Sequence, residues 1–219
     1  MKNKYYIILA IISVLCVNVA LAFWSSSDSN NEIVYNKSIT FHNKQFEQDV
    51  IVNGSAHLIG AKFADLTVNG SLKGKNLEGK ELTVNGAAKI IKISADNATF
   101  NGKVFVSEGQ VNSDLKANGF ISAEKLKVGG EIEITGSAKI KDSELNEVFL
   151  NSKKRNKAVF SNTTIKNITI MDKTKLTLTN KSVIQGRVYF ELAEGKVYLS
   201  KDSKIMGKVE NGEIIQLKD

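Results

Sequence analysis

The chain has 219 residues, 42 % of them apolar, with one cysteine, two histidines and no proline. That length allows one sizeable core, and a single cysteine excludes a disulfide framework. The net charge of +7, from 30 Lys and Arg against 23 Asp and Glu, favours anionic partners, but the interleaved acids exclude a dense nucleic-acid stripe.

Residues 1–22 read as a signal peptide. Lys2 and Lys4 form a basic start, 5–17 an apolar stretch, and Ala20-Leu21-Ala22 the small residues ahead of cleavage between Ala22 and Phe23. The apolar run to Trp24 is also long enough to span a bilayer, so an uncleaved anchor is the alternative. Asn18 and the small-x-small triplet favour removal. Cys16 makes a poor lipidation site, since Leu15 stands before it where a small residue is normal. The expected location is therefore outside the cytoplasm, in the periplasm, on the surface or secreted. Cleavage would leave no cysteine, which excludes thiol catalysis and Cys-based metal sites. Residues 23–31 (Ser25-Ser-Ser-Asp-Ser-Asn-Asn within them) are a flexible linker, and 32–49 an irregular N-terminal cap carrying Phe41 and Phe46.

The block 50–142 repeats one unit six times, anchored at Gly54, Gly70, Gly86, Gly102, Gly119 and Gly136, with spacings of 16, 16, 16, 17 and 17. Five of these glycines follow Asn53, Asn69, Asn85, Asn101 and Asn118; the sixth follows Thr135. Positions two and four residues either side of each glycine are apolar or glycine in all 24 cases, from Val50, Val52, Ala56 and Leu58 to Ile132, Ile134, Ala138 and Ile140. Period-two alternation inside a fixed 16–17-residue period predicts stacked strands. One half-apolar strand has nothing to pack against, whereas stacked copies bury a continuous interior. The expected fold is all-β: a single-chain parallel β-helix, or β-solenoid, of roughly ten coils.

Between the glycine motifs lies one further apolar residue per copy (Phe63, Leu77, Ile93, Val111, Leu126 and Leu145), read as a second inward-facing strand of each coil. Asn and Gly both tolerate positive φ, so each Asn-Gly pair is a bend, and Asn53 to Asn118 can stack into an amide ladder. Five independent turns without a ladder are the alternative. From 143 to 219 the period lengthens. Ser143-Glu-Leu, Thr163-Thr-Ile, Ser182-Val-Ile and Ser203-Lys-Ile recur at spacings of 20, 19 and 21, which predicts longer coils of the same stack with a loop at 151–157. Ile205, Val209, Ile214, Ile215 and Leu217 continue strand-like to the C-terminal edge, where weak tail-to-tail self-association is expected unless 213–217 fold back as a lid.

The units Leu66-Thr-Val-Asn-Gly, Leu82-Thr-Val-Asn-Gly and Leu126-Lys-Val-Gly-Gly resemble those of bactofilin-type polymer-forming β-helices. The resemblance implies short coils stacked into a rigid rod that polymerises end to end without a nucleotide. The run 71–145 is also similar to the head domains of autotransporter adhesins. Two departures stand out: bactofilins are mostly cytoplasmic while this chain carries an export signal, and after Ile215-Gln-Leu-Lys-Asp no C-terminal barrel is expected.

Chemistry-bearing constellations are sparse. His42 and His57 have no partner at metal or catalytic spacing, and no nucleophile elbow, P-loop or calcium nonapeptide occurs. No catalytic residue, metal or cofactor is assigned. Asp65 and Glu81, 16 residues apart, are expected to stack as like charges that would attract a cation or simply be solvated. Lys73, Lys89, Lys103, Lys116 and Lys139 take outward strand positions, where they add solubility. The functional expectation is an exported, non-enzymatic scaffold or adhesin-like binder of an anionic glycan or envelope surface, with no specific nucleic acid. The alternatives are a polysaccharide-acting β-helix enzyme, centred on Lys153-Lys154-Arg155, Arg187 and Glu191, or an ice-like surface binder using Thr67, Thr83 and Thr99.

Overall fold

The structure is a computed structural model that describes residues 32–151, 156–172, 174–192 and 194–218. The signal peptide, its cleavage site, the linker 23–31 and the cluster Lys153-Lys154-Arg155 lie outside the described residues. Alternation drives the rest into one sheet of 20 strands, every pairing parallel, wound into a solenoid of about eleven coils. At about 4.8 Å per parallel strand the stack is roughly 48 Å long.

Each coil has three sides. The first stacks Val50 on Ile33 and continues through Leu66, Leu82, Ala98, Leu115, Ile132, Val148, Ile168 and Val188 to Val209. The second begins with Ile39, Ala56, Leu72 and Ala88 and ends with Leu176, Val197 and Ile214. The third carries Leu77, Ile93, Gly109 and Leu126 in register. The six linking residues from Phe63 to Leu145 are all buried, but on this third side, because the Asn-Gly corner divides its flanks between two sides. Large and small residues alternate up the interior: Phe63 lies over Gly79, and Phe190 covers Gly195 and Gly212, where any Cβ would collide with the ring.

The corner between the second and third sides turns on a left-handed residue in eight of the coils, with Lys181 (φ 63°) adding a second beside Asn180. Asn43, Gly60, Asn76, Lys92, Lys125, Asp142, Asn162 and Asn180 hold φ between 49° and 67°. In the later coils this corner is also pinned by buried hydroxyls. Ser143, Thr163, Ser182 and Ser203, the residues that mark the longer period, are 0–5 % exposed. Ser143 Oγ accepts from Leu126 N at 2.9 Å, and Ser182 Oγ accepts from Thr163 N at 3.3 Å. Ser203 Oγ in turn accepts from Ser182 N at 3.1 Å, while Ser182 Oγ donates to Thr179 O at 2.7 Å. Each hydroxyl thus satisfies the corner of the coil before it and its own.

The longer period does not enlarge the sides. Its extra residues sit in the corner between the first and second sides, where seven residues separate Leu150 from Ala158 and three separate Val52 from Ala56. Residues 32–49 form a coil in register with the next one, through strands Glu32–Tyr35 and Ile39–His42. Its inward positions carry one aromatic per side, Tyr35, Phe41 and Phe46, with ring centroids 5.7 and 5.6 Å apart. Burial raises the Tyr35 pKa. At the other end, Gly212–Gln216 pairs in parallel with Gly195–Leu199 and is a further rung instead of a lid.

Ser182→Ala would strip the acceptor from Thr163 N–H inside a fully buried corner. The expected loss is about 1–3 kcal/mol in urea unfolding, with Ser182→Thr retaining most of the stability because Thr163 fills the equivalent place.

Candidate binding surfaces

Register sorts the outward side chains into columns, several of which keep one chemistry over consecutive coils. At the corner between the first and second sides, Asn69 Nδ2 donates to Asn53 Oδ1 at 2.8 Å. Asn85 then donates to Asn69, Asn101 to Asn85 and Asn118 to Asn101, each at 2.7 Å. Asn36 adds a rung beneath, accepting from Asn53 at 2.7 Å; its signal in the sequence is Asn36-Lys-Ser, in which the glycine is replaced. The ladder stops where Thr135 follows Asn118.

Of the bend pairs only the glycines use positive φ: Gly86, Gly102 and Gly119 hold +138° to +157°, and Gly136 after Thr135 holds +146°. Their stronger requirement is space. A Cβ on Gly70, Gly86, Gly102 or Gly119 would run into the carbonyl oxygen of the glycine one coil below, and a Cβ on Gly54 would sit 2.9 Å from the Lys37 carbonyl carbon. Ladder and glycine column are therefore structural devices that fix the stacking of coils.

Thr67, Thr83 and Thr99 do align on the first side, one above another. The column continues into Lys116 and Glu133, whose charged ends pair at 3.7 Å, so the threonine array is three coils wide. Along the edge of the same side runs an acidic column in which Glu32, Asp49, Asp65 and Glu81 stack coil on coil. Burial raises the Asp65 pKa, and the Asp49 and Glu81 carboxylates raise it further against the opposing pull of Lys80. Asn97 ends the run by donating to Glu81 Oε1 at 2.6 Å. Further up, Asn167 Nδ2 donates to Glu147 Oε1 at 2.9 Å. Among the described residues no group of three or more His, Cys, Asp or Glu is arranged to hold a metal ion.

The second side is cationic. Lys73, Lys75, Lys89, Lys103, Lys139, Lys141, Lys157, Lys175 and Lys196 all point outward from it, with Glu124 and Glu213 as its outward carboxylates. Lys116 belongs to the first side instead. The sequence signal was the offset from the glycine corner: Lys73, Lys89 and Lys139 each stand three residues after their glycine. His57 stacks under Lys73, and the rings of His42 and His57 meet edge to face at 6.3 Å. Lys175 Nζ lies 3.9 Å from the Tyr198 ring centre. Arg187 and Glu191 sit at opposite edges of the first side, flanking the strand Val188–Phe190, and Arg187 lies over Tyr189 at 5.6 Å.

These columns and the fold that aligns them define a three-sided parallel β-solenoid with chemically sorted faces. No family model matches the chain, and neither a curated protein nor a solved structure does.

Because Asp65 binds its proton more readily when folded, ionisation there opposes folding. Stability contributed by the protonated form is present below the ordinary carboxylate range and lost as pH rises through the raised value. Asp65→Asn should therefore raise Tm at pH 7, and the gain should vanish near pH 3. Thermal melts followed by circular dichroism at the two pH values check this.

Proposed function

We propose that the protein is an exported, non-enzymatic rod that acts as a scaffold or adhesin-like binder on an anionic envelope surface. The observation that carries the reading is the lysine-bearing second side, a rigid array in which lysines point outward from seven of the coils. Electrostatic attraction spread over such an array suits a repetitive polyanion better than a single small molecule. The export signal read in residues 1–22 would deliver the rod to where such polymers are found. The expected outcome is that purified protein pellets with insoluble acidic cell-wall polysaccharide, is released by high salt, and liberates no reducing ends. Release of sugar products would assign it to the polysaccharide-acting enzymes instead, and failure to pellet at low salt would remove the binding function.

Self-association through the last coil belongs to the same reading. Ile214 holds an inward position there yet is 45 % exposed, and among the described residues the strands Val209–Glu210 and Gly212–Gln216 have no further coil beyond them. A weak tail-to-tail dimer is expected in sedimentation, lost when 211–219 are deleted. A strict monomer in both forms would show that this edge is not an assembly surface.

A further inference from the structure

The second side is not flat along its first five coils. A groove of about 490 Å³ runs along the rod axis there, from Ser38 to Lys103 and Phe105. Its origin is the residue that follows each corner. Ser55, Ser71 and Ala87 are small and leave a channel, whereas Lys103 and Phe120 at the next two equivalent places are large and fill it. His57, Lys73 and Lys89 form one wall, stacked in register. The far end is an aromatic step. Phe105 and Phe120 meet at 6.0 Å, and Lys103 Nζ lies 5.0 and 5.9 Å from their centroids. Phe105 is 41 % exposed.

The charge in this wall is uncompensated. On the other sides an outward lysine meets a carboxylate one coil away, as in Lys62–Glu78 at 2.8 Å, Lys92–Glu108 at 3.4 Å and Lys127–Glu144 at 3.3 Å. Lys73 instead faces Lys89 directly, neither has an ion-pair partner among the described residues, and no Asp or Glu lines the groove. Like charges placed opposite each other across paired strands are destabilising. Lys157 opposite Lys175 apart, the fold answers that cost with a glutamate elsewhere and does not do so here.

We propose that this groove binds a linear anionic glycan, whose carboxylate or sulfate groups pair with Lys73 and Lys89 and whose end ring rests on Phe105. The proposal rests on the envelope-binding reading above and gives it a site. Several features select the ligand. The channel is straight and follows the coil axis, so consecutive anionic sugars of an extended pyranose chain meet consecutive coils, about 4.8 Å apart. Although Ser38, Thr40, Ser55 and Ser71 line the channel, its open surface is mainly apolar, which suits the faces of sugar rings between the anionic groups. A single-stranded nucleic acid would need stacking platforms along its path, and no Phe, Tyr or Trp lines the groove before the step at Phe105. An acidic peptide adding itself as a strand needs an open sheet edge, and the sides of a solenoid present none.

The test uses the full-length protein and a fluorescent hexagalacturonate, with its fully methyl-esterified form as the neutral control. Lys73→Gln/Lys89→Gln should weaken binding on the order of a hundredfold, since each lysine loses a charge-assisted contact. Phe105→Ala should weaken it about tenfold. Lys92→Gln/Lys127→Gln removes the same charge from outside the groove and should stay within about twofold; the neutral ester should not bind. Melting temperatures identify any variant that fails to fold, and relief of the Lys73–Lys89 repulsion should raise rather than lower that of the groove double variant. Equal loss in both double variants, or tighter binding of oligothymidylate than of the uronate, overturns the proposal. If the groove variant still pellets with cell-wall polysaccharide as the wild type does, the groove is not the site while the envelope-binding function stands. If the wild type pellets with nothing, that function falls as well.

Discussion

A parallel coil can stack on the one before it only if both turn at the same place, and in this rod the turning place is held by contact between glycines. The carbonyl oxygen of Gly86 occupies the space that a Cβ on Gly102 would need, and the same relation recurs from Gly70 to Gly136. A slip of one residue would put a side chain into that space and turn every inward residue of the coil outward. The amide ladder beside the column adds a second constraint, because each Asn side chain donates to one coil and accepts from the next. These exposed bonds contribute modestly to stability, on the order of 1 kcal/mol each. Their effect on register is larger, since any other alignment leaves the amides facing unlike neighbours.

Once register is fixed, the outward residues sort themselves without further instruction. Lysines and glutamates that lie one period apart become vertical neighbours, and pairs such as Lys116–Glu133 and Lys196–Glu213 follow. Exposed pairs of this kind contribute about 0–1 kcal/mol, so they do not hold the rod together. What they do is neutralise two of its sides. Most of the second side escapes neutralisation because, apart from Lys141 with Glu124 and Lys196 with Glu213, its lysines face uncharged residues or another lysine, as Lys157 faces Lys175. The asymmetry of charge around the rod is therefore a consequence of which residues recur at the period, and it requires no departure from the backbone common to all coils.

Much of this was legible in the sequence. The alternation around each glycine identifies the core from Val50 to Ile140, and the spacing puts Phe63, Leu77 and Ile93 inside, where the structure buries them. What escaped was corner chemistry. Asn, Asp, Gly and Lys share the left-handed place between the second and third sides, and a left-handed Lys92 or Lys125 carries no turn signature, so this bend has no repeated motif of the kind that Asn-Gly provides. Without that bend, a period of 16–17 residues leaves room for two or three strands per coil and does not choose between them. The same gap hid the buried hydroxyls: Ser143, Thr163, Ser182 and Ser203 were noticed as a period, yet nothing in their spacing says that they turn inward to bond backbone amides. The regularity of the first coil, which reads from sequence as an irregular cap, is masked for another reason, since Tyr35, Phe41 and Phe46 stand at inward positions on three different sides and show no common local pattern.

The candidate groove illustrates how function can vary on such a scaffold. The residue after each corner glycine points outward and touches no core, so its size is free of the constraints that fix Val52 or Ala56. Ser55, Ser71 and Ala87 open a channel, and Lys103 and Phe120 close it, on a backbone that continues unbroken through the strand Ala88–Val106. Beyond Gly136 the corner itself relaxes. With no Asn-Gly pair to enforce a three-residue turn, extra residues are accommodated between the first and second sides while the sides keep their register. The interior of the later coils is held instead by the hydroxyl column at a different corner. One register device replaces another along the rod, which is why the repeat length changes at 143 while the hydrophobic interior does not.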